Sequence, residues 1–426
     1  MYNKQRLSNG LRILFAPLKE TNAVTVLMMT KVGSRYEAPD INGVSHFLEH
    51  MMFKGTDKRP TALDVSKELD GVGADFNAFT GKDYTGYYIK LSREHLTLAL
   101  DIISDMLLHS KFSETEINKE RKVITEEINM YFDNPIMLVD DVFEELMFGK
   151  KHPLGQMISG PKSVIAALQR KTIVGYFKRH YFPRNMVLCV SGKFNKAQAL
   201  SQIQQMFAGV NKRLPTTQFA RFQHYQQKPQ VRLLNRKTEQ VQIALGFPGL
   251  PYLHKDLPAL GLLTVILGGN MSSRLFTRVR EQEGLAYAIH ASRSAYQDTG
   301  AFVVQAGVDK TRVFPALEHI LAELRDVKER GVRDEELAQA KEFLKGKLVL
   351  DLEDSEEIAN FLTKQELLTG AIETPAQRLR KLEKVRKADI QRVARNIFHH
   401  QNLNLALIGP HRETAEFSAF LAKHLV

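Results

Sequence analysis

The chain has 426 residues, of which 43% are hydrophobic and 25% charged, with one cysteine and a net charge of +11. This balance excludes a disordered chain, a collagen and a disulfide scaffold, and the length suggests about three domains. The single Cys189 cannot form an internal bridge or a cysteine-based metal site, which favours a reducing, cytoplasmic setting. Lys and Arg are spread along the chain without a dense basic run, so the charge reads as a solvated surface with no nucleic-acid partner. No apolar run is long enough for a transmembrane helix, and the start lacks the apolar core of a secretory signal, so no membrane insertion is expected.

In chain order, Leu7-Ser8-Asn9-Gly10-Leu11 predicts a strand–turn–strand opening. A β-rich run follows over Val24–Lys31, then helical patterns at 42–54 and 61–71. Ala74–Leu91 alternates like paired strands. Further helices are predicted at about 94–109, 113–132, 136–148 and 161–180, and Asn185–Gly192 reads as a buried strand. The Gln-rich stretch 213–230, punctuated by prolines, reads as a linker. The second half then repeats the first. Asn185–Gly192 (NMVLCVSG) matches Asn402–Gly409 (NLNLALIG), Ser113–Ile124 matches Arg333–Leu344, and Thr85-Gly86 matches Thr299-Gly300 more weakly, each offset by about half the chain. The expectation is two homologous α+β domains, 1–212 and 231–426, each a mainly antiparallel sheet packed with helices.

The strongest chemical signal is His46-Phe-Leu-Glu49-His50. On a helix His46 and His50 are four apart and share one face, a separation that suits a tetrahedral zinc ion. Glu49, about 100° round from His50, has the placement of a general base for a water at the metal. A third ligand has to come from elsewhere. Glu120 and Glu127, seven apart on one helix, share a face and are both candidates, while Glu126 is turned aside. In the repeat the equivalents of His46–His50 are Ile266-Leu-Gly-Gly-Asn270, and those of Glu120 and Glu127 are Ala340 and Lys347. One copy therefore carries the acids and imidazoles, and the other copy has none of them.

These residues resemble the inverzincin zinc metallopeptidases, the group of pitrilysin, insulin-degrading enzyme and mitochondrial processing peptidase, in a short two-domain form. The resemblance runs along the whole chain through HFLEHMMFKGT, ADFNAFT, KERKVITEEI, HPLGQMISG and ILGGNMSSRLFTRVREQEGLAY. It implies that His46, His50 and Glu127 hold one zinc ion, that Glu49 is the base, and that Glu120 supports the ligands. It also implies that Asn77 and Ala78 hold a peptide by strand addition, with Phe79 near a side-chain pocket or simply a core aromatic. Arg280 and Tyr287 match a pair that stabilises the oxyanion, and Gly268-Gly269 resemble a glycine-rich segment. The chain would then be an endopeptidase for extended peptides, forming one half of a clamshell, with a homodimer or a paralogous partner supplying the other half. Longer members hold four such domains in one chain, with the Arg/Tyr pair in the fourth. The alternative reading is a noncatalytic scaffold or partner subunit.

Overall fold

The Asn-Gly signal forms the turn between β1 (Asn3–Arg6) and β2 (Arg12–Pro17) in the computed structural model, which describes residues 2–210 and 218–426. Gly10 there has φ 97°, a left-handed conformation that favours glycine, and the Asn9 side chain accepts from the Leu11 N–H at 3.1 Å. The β-rich run becomes β3 (Ala23–Thr30), and the alternating stretch becomes the hairpin β4 (Asp75–Thr80) and β5 (Thr85–Ser92). With β6 (Met186–Gly192) these strands build a sheet in the order β1-β2-β6-β3-β5-β4. Only β2 and β6 pair in parallel.

One face of this sheet packs on the helices Val44–Met52 and Leu96–His109 through residues such as Val26, Phe47, Ile89 and Ile103. The other face is covered by the helix Ser355–Thr369, which lies on β3 and β6. Thr25 Oγ meets Ser355 Oγ at 2.8 Å on that face. Both sides of β6 are thus buried, which explains its unbroken apolar run.

The second sheet uses β7 (Gln230–Asn235), β8 (Gln240–Gly249), β9 (Ala286–Ala295), β10 (Gly300–Asp309) and β11 (Asn404–Gly409) in the order β7-β11-β8-β10-β9. Its one parallel pair is β7/β11. Strand for strand this is the arrangement β2-β6-β3-β5-β4, with the matched sequences NMVLCVSG and NLNLALIG falling on β6 and β11. The chain is therefore an α+β protein of two homologous parts. One face of the second sheet packs on the helices Leu257–Gly268 and Val313–Arg330, and the helix Pro135–Phe148 covers the other with Leu138, Val139 and Phe143.

The compact units differ from the contiguous division at 213–230. The first comprises Met1–Ile128, Met157–Ala220 and Leu348–Thr374, and the second Asn129–Gln156, Arg221–Lys347 and Pro375–Val426. Each unit takes one sheet-covering helix from the opposite half of the sequence. Each sheet has a second apolar face, and the helix that covers it comes from the other half of the sequence. Two smaller differences follow. The expected helix 161–180 is two helices, Lys162–Ala167 and Arg170–His180, and Gln230 of the expected linker already belongs to β7. Residues 211–217, including part of that linker, lie outside the described residues.

Candidate metal centre

The helix Val44–Met52 turns Val44, Phe47, Leu48 and Met51 into the core, which leaves His46 and His50 on a flank. Its start is tightly built. Gly43 has φ 99°, and an added Cβ there would lie 2.6 Å from both Ile165 Cδ1 and the Ser159 carbonyl oxygen. The buried carboxylate of Glu37 accepts from the N–H groups of Gly43 at 2.6 Å and Ser45 at 2.7 Å, and from the Asn42 amide at 2.9 Å. Burial pushes the Glu37 carboxyl above its usual range, and these hydrogen bonds pull against the shift. Two donors at the first turn are met this way, and the helix entry is held in place.

The helix Glu114–Asp133 brings the third group. One ligand atom from each of His46, His50 and Glu127 lies within 4.8 Å of the others. Glu127 Oε1 is 3.5 Å from His46 Nε2, and Glu127 Oε2 is 3.3 Å from His50 Nε2. The imidazole rings sit edge to face, with centroids 4.8 Å apart. Glu120, also on this helix but buried, takes the other side of His50, its Oε2 lying 3.0 Å from Nδ1. Lys54 Nζ lies 2.7 Å from Glu120 Oε1. Glu126 is exposed.

Electrostatics agree with a site made for a cation. Burial acts to lower the His50 pKa, but the hydrogen bonds to Glu120 and Glu127 outweigh it and lift the value to about 9. The bonds from His46 and His50 hold Glu127 far below the usual carboxylate range. Burial works to raise Glu120, and its bonds to His50 and Lys54 overcome this and lower it. In the metal-free chain a proton on His50 supplies the positive charge that the acids attract. The donor set fits zinc: two imidazole nitrogens and one carboxylate leave a fourth position open, the composition of a catalytic site, and Glu120 orients His50 from behind.

Glu49 lies on the same helix, and its Oε2 accepts a hydrogen bond from Thr80 Oγ at 2.6 Å. Thr80 ends β4, the strand of Asn77 and Ala78, and among the described residues β4 has β5 on one side and no strand on the other. Alternation places the two substrate candidates on opposite faces. Phe76, Ala78 and Thr80 face the helix Val44–Met52, whereas Asn77 and Phe79 face away. The Phe79 ring lies over Gly86, where a Cβ would come within 2.3 Å of it, and meets Tyr84 with centroids 6.0 Å apart.

Arg280 and Tyr287 belong to the second unit, and His46, His50 and Glu127 to the first. Arg280 sits on a short π-helix, Phe276–Gln282, with its guanidinium 4.7 Å from the Phe276 ring centroid and 5.4 Å from that of Tyr287. Tyr287 is 77% exposed. Gly268 ends the helix Leu257–Gly268, where a Cβ would lie 2.4 Å from the Ala291 nitrogen. The repeat equivalents Ile266, Asn270 and Ala340 line a cavity of about 740 Å³, which holds Arg274 paired to Glu336 at 2.7 Å instead of a ligand set. Three contributors escaped sequence reasoning: Glu37, Lys54 and Thr80. Lys54 stands four residues after His50, a spacing that could have flagged it, and Thr80 closes the NAFT motif, whereas nothing local marks Glu37.

Residues 12–162 match the family described as Insulinase (Peptidase family M16), and residues 167–344 match the Peptidase M16 inactive domain. The chain belongs to peptidase family M16. A protein of Streptomyces coelicolor named an uncharacterized zinc protease is 37% identical over 95% of this chain and 88% of its own length. One of Bacillus subtilis with the same designation is 35% identical over 96% and 98%. Among solved structures, a protease from Helicobacter pylori superimposes with a TM-score of 0.91 at 24% identity, covering 96% of this chain and 99% of that one. A Pseudomonas fluorescens structure described as a peptidase M16 inactive domain gives 0.88 at 17% identity over 96% and 98%. Both share the fold. The M16 assignment accords with the asymmetry of the two copies: the inactive-domain match includes Ile266, Asn270 and Ala340, where the first copy has His46, His50 and Glu120. No helix among the described residues is long and apolar enough to cross a membrane.

Proposed function

We propose that this M16 protein is a zinc endopeptidase acting on extended peptides. The observation that carries the reading is the convergence of His46, His50 and Glu127 from two helices, with ligand atoms within 4.8 Å of one another. These three residues would hold one zinc ion, which when bound supplies Lewis acidity to a water and to the peptide carbonyl. The open edge of β4 offers main-chain donors and acceptors at Asn77 and Ala78 to a peptide lying alongside as a further strand. Such a strand presents alternate side chains to the two faces of the sheet, and on the face away from the helix Val44–Met52 they meet Phe79. Glu49 takes a proton from the attacking water as its oxygen bonds to the carbonyl carbon. It then delivers that proton to the departing amine nitrogen as the C–N bond breaks. Glu120 fixes the His50 ring through Nδ1.

Arg280 and Tyr287 stabilise the oxyanion in this reading, and they reach the metal residues of a second copy. A homodimer, or a dimer with a paralogue, would bring the halves together around the substrate. A cytoplasmic setting fits the single buried Cys189. The scaffold alternative has no use for a complete ligand set with a base beside it.

Glu49→Gln tests the reading. The variant should keep one zinc per chain by metal analysis, while turnover of an unstructured peptide falls by about 10²–10⁴-fold. Zinc loss in this variant, or full activity, would overturn the assignment, and wild-type protein that binds no zinc would favour the scaffold.

A further inference from the structure

A base beside a metal has to be kept from becoming a ligand. Glu49 stands three residues after His46 and one before His50, on the flank of the helix from which both imidazoles project. Its flexible, anionic side chain would be drawn to any cation that the cluster holds. The hydroxyl bonded to it belongs to the substrate-binding strand.

We propose that Thr80 is a positioning residue for the general base. Its hydroxyl engages one carboxylate oxygen of Glu49, holds the group out of the metal's ligand shell and leaves the other oxygen for the water. The inference rests on the peptidase reading above. A hydroxyl-to-carboxylate contact of 2.6 Å is a short, charge-assisted hydrogen bond. Thr80 is also well placed to act as a fixed point. Its backbone ends a tight hairpin, with the Gly81 N–H donating to the Tyr84 carbonyl at 2.8 Å and Thr80 paired to the buried Thr85. The turn is clamped from below, since the Ser34 N–H donates to the Gly81 carbonyl at 3.1 Å and Thr85 Oγ donates to the Val32 carbonyl at 2.8 Å. Gly33 permits this approach, because a Cβ there would lie 2.1 Å from the Gly81 oxygen. The pleat then sends the Thr80 hydroxyl to the face of Phe76 and Ala78, against the helix Val44–Met52. One strand thereby references both the peptide backbone, at Asn77 and Ala78, and the base, two residues further on.

The test compares Thr80→Val, which keeps shape and branching but deletes the donor, with Thr80→Ser, which keeps the donor. Zinc affinity is measured by competition with a chromogenic chelator, and kcat and KM on an unstructured fluorogenic peptide. Thr80→Val should lower kcat by about 10–100-fold with KM unchanged, and should bind zinc at least about tenfold more tightly as the released carboxylate joins the ligands. Thr80→Ser should match the wild type in both. A wild-type kcat or a wild-type zinc affinity in Thr80→Val overturns the proposal, as does a loss that falls on KM or a Thr80→Ser as impaired as Thr80→Val. The zinc measurement needs no turnover. Wild-type protein that binds zinc but cleaves nothing would therefore fail the peptidase reading, while the affinity comparison still decides the role of Thr80.

Discussion

Replacing Glu127 by Gln removes the one anionic ligand of the proposed site while keeping its volume and its place on the helix. Its two oxygens lie 3.5 and 3.3 Å from the Nε2 atoms of His46 and His50, so both imidazoles lose a charged partner at once. Zinc binding worth about 10–16 kcal/mol at a four-ligand site divides into about 2.5–4 kcal/mol per ligand, or about 10²–10³-fold in Kd. Glu126→Gln is the matched control. It makes the same chemical change one residue earlier, about 100° round the helix, on an exposed side chain. Chelator competition at pH 7.5 should show zinc affinity reduced by that factor in Glu127→Gln and unchanged in Glu126→Gln. Equal effects, or the larger one at Glu126, would refute the helical phase on which the site depends.

Two further outcomes are expected. Burial, aided by Arg179, lowers the pKa of His180 to about 4, and its Nδ1 is buried without a partner among the described residues. The unfolded chain, with an ordinary value near 6.5, binds the proton first. Stability is therefore complete above about pH 6.5 and falls by up to about 3 kcal/mol as the pH drops toward 4. Urea unfolding of metal-free protein at pH 7.5 and 4.5 should show a smaller acid loss for His180→Phe, and equal losses would rule out this residue as a source. For the shared site, Glu49→Gln chains mixed and exchanged with Arg280→Ala/Tyr287→Phe chains should recover activity at about a quarter of all sites, because half of the dimers are mixed and each has one intact site. No recovery despite demonstrated exchange would mean that each chain completes its own site or that a paralogue completes it.

Much of this protein is written in local pattern. The 3.6-residue apolar period located the helices Val44–Met52 and Glu114–Asp133 to within a few residues, and that alone puts His46 and His50 on one flank. Alternation located the β4–β5 hairpin, and the matched segments anticipated two homologous parts, each with a mainly antiparallel sheet. Spacing could offer Glu120 and Glu127 only as a pair. Which of them faces both Nε2 atoms and which one backs His50 depends on how two helices distant in sequence approach each other. The same limit hid Thr80 and Lys54, whose partners Glu49 and Glu120 lie 31 and 66 residues away, although each sits in a motif that was read. The exchange of the helices Pro135–Phe148 and Ser355–Thr369 was equally invisible, and it moved the expected domain boundaries. An amphipathic helix records in its sequence that it has a face to bury, and any apolar sheet face of the right width will satisfy it. Only the packing of the whole chain decides which sheet it covers.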